Sequence, residues 1–117
     1  MDTRPASLGS ETRTIVRRRR AGQTDLVISV VNLAEVLIHT ADLSRATGVD
    51  AIILLTASRV RVHHADEAIA RRVAKLRTSL ADGFAAATAQ ELHARLHTTD
   101  AELIRQLRGA RLPITHY

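Results

Sequence analysis

Three short runs, DLVISV (25–30), RVRVH (59–63) and RLHTT (95–99), are separated by segments whose apolar residues recur at helical spacing. Alternation of this kind leaves few folds open. A crossover helix returns the chain to the end of the sheet it left, so consecutive strands joined this way lie parallel. The pattern therefore predicts an α/β domain, a mostly parallel sheet flanked by helices. With 117 residues the chain has enough for one core and too few for two, so residues 1–117 are read as a single domain.

The elements follow from local signals. DLVISV is a buried strand that passes straight into a helix over residues 31–45, with Ser29 and Asn32 both candidates to cap it. GVDAIILLTAS (48–58) continues as a second helix or buried segment. Asp66 caps EAIARRVAKLR (67–77), with Glu67 complementing the helix dipole, and Ser79 caps the alanine-rich helix that follows. DAELIRQLRG (100–109) is a helix closed by Gly109, and RLPITHY (111–117) is extended. Upstream, MDTRPASLGS is irregular. ETRTIVRRRRAG (11–22) reads as a short helix between Ser10 and Gly22, with RRRR (17–20) forming a solvated face or contacting phosphates or an acidic segment.

Composition narrows the function. Aromatic residues make up 2% of the chain, so the core is built from Leu, Ile, Val and Ala, and nucleic-acid binding by base stacking is disfavoured. A net charge of +5 favours a polyanionic or acidic partner. The lack of cysteine excludes disulfides, thiolate zinc sites and cysteine nucleophiles, and with no signal-peptide core or apolar run of ~18 residues it predicts a cytoplasmic protein without membrane contact. Of six histidines, His63 and His64 end one strand and His93 and His97 flank the start of another, and no helical ligand pair emerges, so zinc is not expected. Phe84 is expected in the core, and Asp42, Asp50 and Asp66 at the surface or at caps.

Three carboxylates stand out. Glu35 lies in the first helix after a strand, and Asp100 directly after another. Asp82 shares a helix face with Ala85, Ala86 and Ala89, small side chains that let a neighbour approach closely. In open α/β sheets ligands collect at the carboxyl ends of the strands. Three carboxylates gathered there need a counter-charge, and a hard divalent cation that keeps its waters, Mg²⁺ or Mn²⁺, suits them. Each one alone is equally well explained as a capping or dipole residue.

The motifs around them resemble a known family. SVVNLAEVL (29–37) is similar to the second motif of PIN domains, and SLADGFAAATAQELHARLHTTDAEL (79–103) resembles the third and fourth, across residues 25–117. The nearest resemblance is to VapC-type toxins, the ribonuclease halves of bacterial toxin–antitoxin pairs. It implies a PIN-like three-layer domain and a Mg²⁺- or Mn²⁺-dependent endoribonuclease. Glu35, Asp82 and Asp100 would hold the metal, and Thr98 would orient Asp100 or a substrate phosphate. RNA would be the substrate, a VapB-like antitoxin the inhibitor, and a homodimer the assembly. The family's first motif is a central strand ending in an aspartate; here residues 1–24 diverge or are truncated, and Asp2 is the only candidate for a fourth metal carboxylate. Without that strand its neighbours would be left unpaired unless TRTIV inserts. The alternative implied is an inactive protein that still binds antitoxin or RNA.

Overall fold

The centre of the sheet is occupied by the arginine-rich segment, running antiparallel to both its neighbours. The computed structural model describes residues 14–20 and 23–117. Five strands, β1 (Thr14–Arg20), β2 (Gln23–Ser29), β3 (Val60–His63), β4 (Arg95–Thr98) and β5 (Ile114–His116), form one sheet in the order β3-β2-β1-β4-β5. Among the described residues six helices flank it: α1 (Val30–His39), α2 (Ala41–Thr47), α3 (Ala51–Ala57), α4 (Glu67–Leu76), α5 (Leu80–Glu91) and α6 (Ala101–Gln106). The α/β class expected from the alternation is the one observed. Strand β2 is parallel to β3 and β4 to β5, whereas β1 is antiparallel to both β2 and β4. Four strands therefore point one way, with β1 opposed between them.

The helix expected over 11–22 is thus corrected: its residues 14–20 are β1, while Ser10 and Gly22 lie outside the described residues. Arginine favours helices, but intrinsic propensity amounts to tenths of a kcal/mol per residue. An open slot between β2 and β4 would strand two rows of backbone donors and acceptors. β1 fills both rows, from Val16↔Val27 to Arg20↔Gln23 on one side and from Thr14↔Thr98 to Arg17↔Arg95 on the other.

Period-two alternation then divides the arginine run. Arg17 and Arg19 are exposed, while Arg18, on the opposite face, pairs with Asp25 at 3.3 Å. Asp25 also receives Arg61 at 3.5 Å. Val16 shares the Arg18 face and packs between Val27 and Leu96 beneath Ala85, Ala86 and Ala89 of α5. Leu103 and Leu107 complete this core. Phe84, expected within it, is only half-buried and takes no part.

The small residues of α5 serve close packing. A Cβ added at Gly83 would come within 2.8 Å of Val73 Cγ1 and 3.0 Å of Thr78 Oγ1, so α4 and its loop press directly on this backbone. The single helix expected over 31–45 is two, broken at Thr40. There Oγ1 donates to the Val36 carbonyl at 2.7 Å, a back-bond that competes with continued helix. Asp50, Asp66 and Ser79 cap α3, α4 and α5 as read. No helix among the described residues is long and apolar enough to cross a membrane.

Candidate active site

Strand β2 ends at Ser29, which is 1% exposed and organises the turn into α1. Its Oγ accepts from the Asn32 amide N–H at 3.0 Å, and its hydroxyl donates to the Asn32 side-chain oxygen. Asn32 Nδ2 in turn donates to the Ala81 carbonyl at 3.0 Å. The start of α1 is thereby tied to the first turn of α5. One turn beyond Asn32 stands Glu35, and one residue beyond Ala81 stands Asp82.

Glu35 and Asp82 line one cavity of about 350 Å³. Its other polar walls come from Thr14, Ser29, Asn32 and Ser79. Asp82 Oδ2 accepts from the Ser79 hydroxyl at 2.9 Å, while its own amide donates to Ser79 Oγ at 3.3 Å. This reciprocal pair fixes the carboxylate at the helix start, where the dipole favours negative charge. Glu35 makes no hydrogen bond or ion pair with a described residue, so its carboxylate is available in the cavity.

Asp100 follows β4, on the far side of β1 from β2, and is not among the residues lining this cavity. Its Oδ1 accepts from the amides of Glu102 at 3.0 Å and Leu103 at 3.2 Å, capping α6. Thr98 is fully buried and links the two places: its Oγ1 accepts from the Asp100 amide at 3.1 Å and lies 2.9 Å from Thr14 Oγ1 on the cavity wall. Thr98 thus positions the Asp100 backbone. Asp2 lies outside the described residues.

The polar donors around Glu35 and Asp82 are oxygens and one amide, suited to a hard cation rather than to a soft metal. Among the described residues no group of three or more His, Cys, Asp or Glu side chains is placed to hold a metal ion. Mg²⁺ commonly binds through one or two carboxylates and completes its octahedron with water and substrate phosphate. Two carboxylates facing an open cavity fit that mode of binding.

Sequence reasoning missed two participants. Asn32 was legible only as a possible cap, and its contact with Ala81 depends on how α1 and α5 pack. Thr14 was assigned to a helix, and only the antiparallel insertion of β1 sets it against Thr98.

A sheet whose strand β2 ends at a largely apolar cavity carrying two carboxylates places the molecule among α/β proteins that work at the carboxyl edge. The family model of the PIN domain matches residues 3–109, and the protein belongs to that family. No curated protein gives a significant match to the sequence. PIN domains are typically metal-dependent nucleases, so at family level the protein is a nuclease-type hydrolase.

Proposed function

We propose that the protein is a metal-dependent endoribonuclease, the toxin of a type II toxin–antitoxin pair, hydrolysing RNA phosphodiesters in the cytoplasm. The observation carrying this reading is that Glu35 and Asp82, from separate sequence motifs, line one cavity behind the Ser29–Asn32–Ala81 tether. Both carboxylates would hold Mg²⁺ or Mn²⁺, with Asp100, which follows β4, and Asp2, the remaining candidate from the sequence, as further ligands. When bound, the ion supplies charge that favours deprotonation of a water and offsets charge developing on the scissile phosphate. Ser79 and Asn32 keep the two carboxylates in place, and buried Thr98 sets the approach of Asp100.

A VapB-like antitoxin would occlude this cavity, and a homodimer is the proposed assembly. The exposure of Ile38 on α1 and of Ile53 and Leu54 on α3, at 71%, 60% and 56%, supports a partner on these helices, since large apolar side chains left open to water favour being covered.

Capping of α6 by Asp100 favours a second reading, an inactive PIN domain that retains antitoxin or RNA binding. Cleavage of a structured RNA in Mg²⁺, Mn²⁺ and EDTA, with Asp82→Asn in parallel, separates the two. Metal-dependent cutting that disappears in Asp82→Asn supports the nuclease; a folded wild type that cuts nothing supports the inactive binder.

A further inference from the structure

The outward face of β1 carries a second concavity, of about 460 Å³, that the proposed reaction does not use. The register aligns Arg17 with Arg95 and Ile15 with His97, so Arg17, Arg19, Arg95 and His97 all face away from α5. They line the groove with His93 and Thr24, and no described residue of its lining is acidic. The three arginines are exposed, whereas His97 is 7% exposed.

His97 has one satisfied nitrogen. Tyr117 Oη lies 2.8 Å from Nδ1 with the two rings stacked, while buried Nε2 has no hydrogen-bond partner among the described residues. With the phenol donating to Nδ1, the neutral ring carries its proton on Nε2. His97 thus adds to the groove's wall a ring whose buried N–H has no partner among the described residues, beside three guanidinium groups. Burial first, then Arg17 and Arg95, hold the His97 pKa below the ordinary histidine value, which keeps the ring in this neutral form. A buried donor without a partner calls for an acceptor, and the surrounding charge calls for an anion.

We infer that this groove binds the phosphate backbone of single-stranded RNA, holding the strand on the face of β1 apart from the carboxylate cavity. Arg17 and Arg19, two residues apart on one strand face, stand about 7 Å from each other, comparable to the separation of successive phosphates. Planar guanidinium forks suit phosphate oxygens. The described lining of the groove holds three guanidinium groups and no Phe, Tyr or Trp, so contact is mainly with the backbone and tolerates sequence. The choice of RNA rests on the nuclease reading; the phosphate chemistry does not.

Fluorescence anisotropy of a labelled single-stranded RNA in EDTA, across a salt series, reads binding without cleavage. The triple variant Arg17→Ala/Arg19→Ala/Arg95→Ala should bind at least about tenfold more weakly and flatten the slope of log affinity against log salt by about 2, roughly 0.7 for each lost phosphate contact. His97→Phe should weaken binding without changing that slope. Arg72→Ala/Lys75→Ala/Arg108→Ala, with the same loss of charge at exposed positions elsewhere, should bind as wild type. Equal losses in both triple variants, or none in the groove variant, would overturn the inference. So would a groove variant that keeps RNA affinity but loses binding of inorganic phosphate or of a polyglutamate peptide. Absence of cleavage in Mg²⁺ alongside groove-dependent binding would sink the nuclease reading and leave the groove standing.

Discussion

Glu35 and Asp82 are each positioned by local caps, sitting within two turns of a serine, and a single contact from Asn32 to Ala81 then ties the two helix starts together. The basic groove is assembled the other way, by the register of β1 against β4, strands far apart in sequence. The cavity is acidic and rimmed by caps; the groove is cationic and framed by a ladder. Substitutions at the carboxylates should therefore change chemistry and leave the fold intact, whereas damage to β1 should remove both regions together.

The largest separation expected is in turnover. Glu35→Gln or Asp82→Asn should reduce RNA cleavage by roughly 10³-fold, about 4 kcal/mol of barrier, with the thermal midpoint little changed. Next comes the strand that both regions share. Val16→Pro removes a ladder donor in the middle of the sheet and should destabilise the protein by roughly 3 kcal/mol or more in urea unfolding. Unchanged stability would mean that β1 is not the central strand.

Smaller effects sharpen the contrast. Gly83→Ala gains helix propensity but forces Val73 and Thr78 aside, and the net loss should be about 1 kcal/mol. At Asp100 the cap and the charge can be separated. Asp100→Ala should lose about 1 kcal/mol of stability, whereas Asp100→Asn keeps the cap and most of the stability. If Asp100→Asn also lowers cleavage, the carboxylate serves the metal as well as α6.

The smallest effect is a pH dependence in the groove. Burial, reinforced by Arg17 and Arg95, places the folded His97 pKa below 6.5. The folded state binds that proton less readily than the unfolded chain, so the stabilising contribution is complete above about pH 6.5 and is lost as pH falls through the folded pKa. The thermal midpoint of wild type should fall more between pH 7 and about 5 than that of His97→Gln. Parallel curves would contradict it.

The same division explains what the sequence made legible. Ser29, Asp66, Ser79 and Asp100 act as caps because capping needs only the next three residues, and local chemistry of that reach is written in the sequence. Helix and strand alternation from Asp25 onward was readable for the same reason. TIVRRRR was not, since its own propensities suit a helix and only the empty slot between β2 and β4 makes it a strand. The break at Thr40 turns on one hydroxyl back-bond, an outcome that periodicity does not encode. Asn32 to Ala81 and Thr14 to Thr98 depend on packing between distant segments. Tyr117 beside His97 depends on β5 lying parallel to β4.

Mn²⁺ binding followed by electron paramagnetic resonance tests the metal assignment without requiring the right RNA. Wild type should bind the ion, with occupancy lost in both Glu35→Gln and Asp82→Asn while circular dichroism shows each still folded. Equal Mn²⁺ binding by wild type and Asp82→Asn, or none by folded wild type even with RNA present, would contradict a metal held between these two carboxylates.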